Sequence, residues 1–275
     1  MRVDKARSRK DQWRSIFEEC YEFALPQRNL YSGFYEGRSP GQGKMDRVFD
    51  STAINSTQRF ANRLQSTLFP PYRNWCRLVA GDDIPAEQRR DVQVALDLYN
   101  ERLFAVLRQT NFDLAMSEFL MDLAVGTAVM LVQPGDELTP VRFEAVPQFL
   151  VSLEEGPHGR VDNVYRKMRL KAEAIQQQWP DARLSQQLQD KVRDKPTDDV
   201  DLIEATIYLP DDDIWCYHVL DPAERVELVY RKMESSPWVI ARYMKVAGEI
   251  YGRGPLVTAL PDIKTLNATK RMLLQ

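Results

Sequence analysis

The sequence predicts an α+β fold in which N-terminal helices precede a mostly antiparallel β region and a last helix closes the chain. Three observations predict it. Up to about residue 125, apolar residues recur three and four positions apart, the spacing of one helix face. From Gly126 onward they gather in short runs bounded by turn sequences such as Pro134-Gly135-Asp136. Helical and strand patterns are also segregated along the chain instead of alternating as in a parallel βαβ unit.

Residues 1–10 read as a basic, polar arm (Arg2, Lys5, Arg7, Arg9, Lys10), expected to be a solvated, flexible terminus. The helical part spans 11–125. Its first helix brings Trp13, Ile16, Phe17, Cys20, Tyr21 and Ala24 to one face, and Pro26 ends it. A loop rich in Gly, Ser and Tyr follows at 29–43. Asp50 or Ser51 can cap the second helix, whose stripe is Ile54, Thr57, Ala61, Leu64 and Leu68. Pro70 and Pro71 stop it, because proline disfavours helical geometry in the residue before it. The third helix begins at Pro85 and carries Val92, Leu96, Tyr99, Leu103, Val106 and Leu107 as its stripe. A fourth is expected over 113–124.

The β-rich part spans 126–254. Strands are expected at 126–132, 141–146, 149–153 and 161–170. After two polar helical segments at 172–179 and 184–193, further strands fall at 203–209, 214–220, 226–233 and 239–246. The last part, 255–275, keeps helical spacing through Leu256, Leu260, Ile263, Leu266, Lys270 and Leu273, with Pro261 at a kink or at the helix entry. The pattern runs to Gln275 with no glycine, proline or cap, so this helix is expected to be truncated.

Composition excludes several classes. A chain of 275 residues with 44% hydrophobic and 28% charged residues has ordinary globular values, which argues against disorder. No run of about 18 uncharged apolar residues exists. The richest stretch, 114–132, holds Glu118 and Asp122, which are costly in lipid, so no membrane partner is expected. The basic N-terminus lacks the apolar stretch of a signal peptide. Cys20, Cys76 and Cys216 are odd in number and far apart, and read as reduced, buried thiols. The net charge of −3 does not suit a protein that clamps DNA by neutralising phosphates, although it allows a loose or sliding contact.

Motifs for chemistry are thin. The sequence GQGK from Gly41 to Lys44 lacks the glycine spacing and following hydroxyl of a phosphate-binding loop, since Met45 comes next. YGRGP, from Tyr251 to Pro255, reads as a tight turn into the last helix, not as a dinucleotide fingerprint. His158 and His218 are the only histidines, too few for a metal centre or a Ser-His-Asp set. Asp211, Asp212 and Asp213 read as a solvated hairpin turn, and Glu118 and Asp122 as surface charges of an amphipathic helix. No catalytic residue, cofactor or metal is expected.

Several segments together resemble the head-to-tail connecting (portal) proteins of podoviruses of the coliphage T7 type. They are VFDSTA (48–53), LQSTLFPPYRNW (64–75), GTAVMLV (126–132), VPQFLVSLEEGPHGRVDNVYRKMRL (146–170) and PWVIARYMKVAGEIYGRGPLVTALPDIKTLN (237–267). The resemblance covers most of the chain in family order. It implies a homo-oligomeric ring, usually of twelve subunits, at one capsid vertex, through which a terminase pumps double-stranded DNA and to which tail proteins dock. It implies a structural protein of the virion, assembled in the host cytoplasm. Most of the chain would then be the portal wing, and the last helix the start of the stem. The family's clip, return stem helix, tunnel loop and crown are expected to have no counterpart in this sequence.

On that reading, the polar side of the last helix, Lys264, Ala268, Arg271 and Gln275, is expected to face the channel lumen or a neighbouring subunit. Phe49, Leu68, Phe69 and Trp75 are expected as core or interface anchors, with Trp75 a large buried ring. Two other functions remain open to the sequence: a nucleotide-binding enzyme using the Gly41–Lys44 loop, and a prophage-derived adaptor that no longer forms rings.

Overall fold

The computed structural model describes residues 2–28 and 47–274, so the Gly41–Lys44 loop and Gln275 lie outside the described residues. The order of elements follows the α+β expectation. Helices α1 (Arg2–Asp11), α2 (Arg14–Ala24), α3 (Thr52–Leu68), α4 (Ala86–Gln109) and α5 (Phe112–Val125) come first. Strands β1 (Thr127–Pro134), β2 (Val141–Val146), β3 (Val151–Glu155) and β4 (Val161–Lys171) follow, then α6 (Ala172–Gln178) and α7 (Gln186–Asp194). Strands β5 (Asp199–Leu209), β6 (Ile214–Asp221), β7 (Val226–Met233) and β8 (Trp238–Arg242) lead to the last helix, α8 (Pro255–Leu274).

The strands form two antiparallel sheets, a three-stranded one in the order β2-β1-β8 and a five-stranded one in the order β3-β4-β5-β6-β7. In the small sheet Val129 lies opposite Val146 on one side and Ile240 on the other, so one face is apolar across all three strands. That face shares a core with α2, α5, α8 and the first strands of the large sheet, through Phe17, Tyr21, Leu131, Leu153 and Tyr251. Polar ties also join the sheets. Trp238 Nε1 on β8 donates to Thr206 Oγ1 on β5 at 2.9 Å, and Arg242 on β8 pairs with Glu155 on β3 at 2.6 Å. The far end of the large sheet has its own core, where α6 and α7 press Ile175, Trp179 and Leu188 on Leu202, Val219 and Leu228.

The structure corrects four sequence expectations. Residues 2–11 are not an arm but helix α1, with Ala6 buried against Tyr165 and Ala205 of the large sheet. Val3, Ala6 and Lys10 form its inner line. The stripe is hard to read because Lys10 counts as a charge while its aliphatic stem packs. Cys76 is exposed, whereas Cys20 and Cys216 are buried thiols. On α4 the inward line runs through Asn100 and Phe104, leaving Tyr99 and Leu103 of the expected stripe exposed. Asp122 is 1% exposed, not a surface charge. It takes a bidentate bond from Arg28 (2.7 and 3.1 Å) and one from the Tyr21 hydroxyl (2.9 Å), so the turn after α2 is pinned to α5.

The YGRGP turn has a geometric reason. Gly126, at φ +145°, ends α5 where the backbone of the turn crosses it: a Cβ there would sit 2.0 Å from the Gly252 carbonyl oxygen. At Gly254 a Cβ would sit 2.1 Å from the Ala124 carbonyl oxygen. Only hydrogen side chains permit this approach, which sets the point where α8 leaves the core.

Candidate subunit-contact surfaces

Helix α8 starts at Pro255, a residue suited to the first helical position because its missing N–H is not needed there. Pro261 lies inside the helix, not at its start. Leu256 and Leu260 enter the core, and Ile263 packs against its edge. The next position of that line is Asn267, which sequence reasoning missed. Its Oδ1 accepts from the backbone N–H groups of Phe49 (2.7 Å) and Asp50 (3.2 Å), and its Nδ2 donates to the Arg47 carbonyl (3.0 Å). An amide on an apolar stripe was the available signal. It clamps α8 onto the segment that leads into α3.

The expected polar face of α8 is partly engaged within the chain. Lys264 pairs with Glu19 of α2 at 3.0 Å, and the Arg271 guanidinium sits 5.8 Å from the centre of the Phe49 ring. Ala268 is exposed. Lys270 pairs with Asp50 at 3.0 Å. Hydrogen bonds from Thr52, with Lys270 adding to them, hold the Asp50 carboxyl below its usual range. The same carboxylate accepts from the Thr52 backbone N–H at 2.9 Å, which is how the start of α3 is satisfied. Beyond Asn267 the apolar side chains Met272, Leu273 and Leu274 are exposed among the described residues.

A second surface is built around the chain between α3 and α4. Pro70 and Pro71 end α3, and the chain turns back along α4. The Trp75 ring stacks on Phe112 (5.8 Å between centres) and meets Phe69 (5.0 Å) and Phe104 (5.3 Å) edge to face. Phe69 and Trp75 are therefore anchors within the chain, but Trp75 is 36% exposed, at the surface of the aromatic cluster, and Leu68 is exposed. Polar side chains hold the following segment on α4. Asn100 Oδ1 accepts from the Leu78 N–H at 2.9 Å, Gln93 Oε1 accepts from the Ala80 N–H at 3.1 Å, and Arg77 forks onto Asp97 at 2.8 and 2.9 Å. The Arg77 fork, helped by Gln93, keeps the Asp97 carboxyl below its usual range.

Among the described residues, this layer leaves apolar side chains exposed. Val94 and Leu98 lie four residues apart on α4, 65% and 50% exposed, and Leu78 and Val79 of the neighbouring segment are exposed too. Exposed apolar side chains of this kind make the face a candidate contact surface. Chemistry has less support. Among the described residues no three His, Cys, Asp or Glu side chains come together as metal ligands, and no helix is long and apolar enough to cross a membrane. His218 lies on β6 against Glu227 of β7 at 2.5 Å, far in the chain from either surface.

With these surfaces in place, the chain can be compared with known proteins. The model of the family described as bacteriophage head to tail connecting protein matches residues 1–275. The chain belongs to this family. A curated relative, a probable portal protein of Bordetella phage BPP-1, is 22% identical over 279 residues, which cover 96% of this chain and 49% of that protein. The connector chain thus spans about half the length of this relative. The α+β organisation and the last helix of the connector chain agree with what the sequence predicts.

Proposed function

We propose that the connector chain is the wing and first stem portion of a portal subunit, with residues 11–254 as wing and α8 as the start of the stem. Copies of the subunit assemble into a ring, of twelve members by the family resemblance, at one vertex of the phage head. Double-stranded DNA passes through the ring during packaging and ejection, and the tail attaches to it. The observation that carries this reading is the family match over the whole chain. Two features support it. The uncovered face of α4 and the apolar end of α8 give each copy two different surfaces, which a closed ring needs because its contacts join unlike faces. The net charge of −3 suits a conduit, since a strongly basic wall would retain the duplex.

On this reading the subunit is a component of the virion, assembled in the host cytoplasm. It has no catalytic residues and no cofactor, and ATP hydrolysis belongs to the terminase that docks on the ring. Lys264 and Arg271 line the lumen or the contact with the next subunit. The test is the mass of the full gene product in solution, with electron microscopy of the same sample. Closed rings support the proposal, and a stable monomer or dimer at high concentration overturns it. Saturable ATP binding by the purified protein would instead favour an enzyme built on the Gly41–Lys44 loop.

A further inference from the structure

A cavity of about 220 Å³ lies between α1, α2 and the five-stranded sheet, away from both surfaces described above. Its lining holds Arg7 and Lys10 of α1, Arg14 of α2, and Arg166 and Lys167 of β4, against the single carboxylate of Asp11. In a chain of net charge −3 this is a strong local reversal of sign. Some of the charge is met nearby: Arg14 pairs with Glu18 at 2.6 Å, and Arg166, whose side chain leaves β4 on the face opposite Tyr165 and Lys167, forks onto Glu144 through both terminal nitrogens and stands 3.6 Å from Glu204. Arg7 and Lys167 have no ion-pair partner among the described residues, and Asp4 and Asp201 feel Lys167 only at longer range.

One buried cation at this cavity has unused donors. Lys10 is 9% exposed, and its ammonium donates to the Phe149 carbonyl, which leaves two of three N–H groups unassigned. A buried cationic donor without a counter-charge is costly, and such groups in folded proteins normally meet an anion.

We propose that this cavity binds a phosphate-type oxyanion. The cationic groups come from two helices and a strand, so they approach from several directions, as a tetrahedral multivalent anion requires. A planar carboxylate would engage one fork and leave the rest unmet. The space exceeds what a few waters need and is far too small for a duplex, so the ligand is a free phosphate or a single phosphate group of a larger molecule. Helix α1 closes one side of the cavity, so an anion here also ties α1 to β4.

The test titrates inorganic phosphate against chloride at constant ionic strength, because bulk screening alone changes with salt. Tm should rise by about 3 °C once phosphate stands at ten times its Kd. The double variant Arg7→Ala/Lys167→Ala removes two exposed cations outside the core, so it should fold with an unchanged Tm in chloride and lose the phosphate response. Phosphorus line broadening on the unmodified protein gives a second readout that does not depend on any variant. No rise in Tm and no broadening, a rise that survives in the double variant, or an equal rise with succinate would each overturn the proposal. A short duplex oligonucleotide that displaces the phosphate identifies a nucleic-acid phosphate as the source, and failure to displace it identifies free phosphate or a phosphomonoester.

Discussion

Helices α4 and α5 are neighbours in the chain and opposites in how they are held. Eight of the fourteen residues of α5 are buried, among them Met116, Phe119 and Leu120, because it lies between α3 and the small sheet. Of the twenty-four residues of α4, only Asn100 and Phe104 are buried, and polar side chains fasten the helix to the segment beside it. Helix α5 is the more apolar of the two, but α4 also carries large apolar side chains, Val94, Leu98, Tyr99 and Leu103, that stay exposed. What separates them is whether the other described residues cover those side chains. Helix α5 is enclosed by the described residues, while α4 keeps an exposed apolar face that, on the proposed function, meets a second molecule.

This contrast can be broken most directly at the polar heart of α5. Arg28→Met would leave the Asp122 carboxylate buried without its cation and should cost about 3–5 kcal/mol in chemical denaturation. A loss below 1 kcal/mol would mean that α5 is not pinned as described. Leu120→Ala should cost about 3 kcal/mol, the usual penalty for a core cavity, measured the same way. Asn267→Ala should cost about 2 kcal/mol, because it leaves the buried Asp50 N–H and the partly buried Phe49 N–H without an acceptor. Hydrogen exchange at Phe49 and Asp50 should accelerate in that variant.

The difference between the helices also explains what the sequence revealed and what it hid. Strands β2 and β7 were legible to the residue, since alternation and turn residues are local signals that the fold does not override. The last helix was legible from its stripe. Asp122 was misread because a carboxylate on a helix is usually a surface group, and its partner Arg28 lies 94 residues away in sequence. Lys10 was misread for a related reason, as its stem packs while its charge suggests solvent. The inward face of α4 was misjudged because tyrosine and leucine were taken as inward by type. The residues that hold it are Asn100 and Gln93, whose role depends on a neighbouring backbone that no periodicity shows. The family was legible through resemblance spread over many segments.

Two smaller effects sharpen the comparison from the side of α4. The Asp97 carboxyl is held below its usual range by Arg77, so its folded pKa is depressed. The contribution of that pair is present above the ordinary carboxylate pKa and is lost as the pH falls through the folded value. Acidification through that range should raise hydrogen exchange at Leu78 and Ala80 before it affects amides of α5. If both regions open together, α4 is part of the same cooperative unit and the contrast fails.

The last expectation is the smallest in stability and the most informative about function. The double variant Val94→Glu/Leu98→Glu changes two outward side chains that touch no core, so a single subunit should lose no more than about 0.5 kcal/mol. Carboxylates placed in a contact between subunits would instead be desolvated without partners, which a ring cannot tolerate at every one of its equivalent interfaces. The variant should therefore denature like the unmodified chain and yet sediment as single subunits. Rings that persist would place the contact elsewhere and leave the exposed face of α4 to another occupant. A variant that unfolds would show that α4 is covered by its own chain after all.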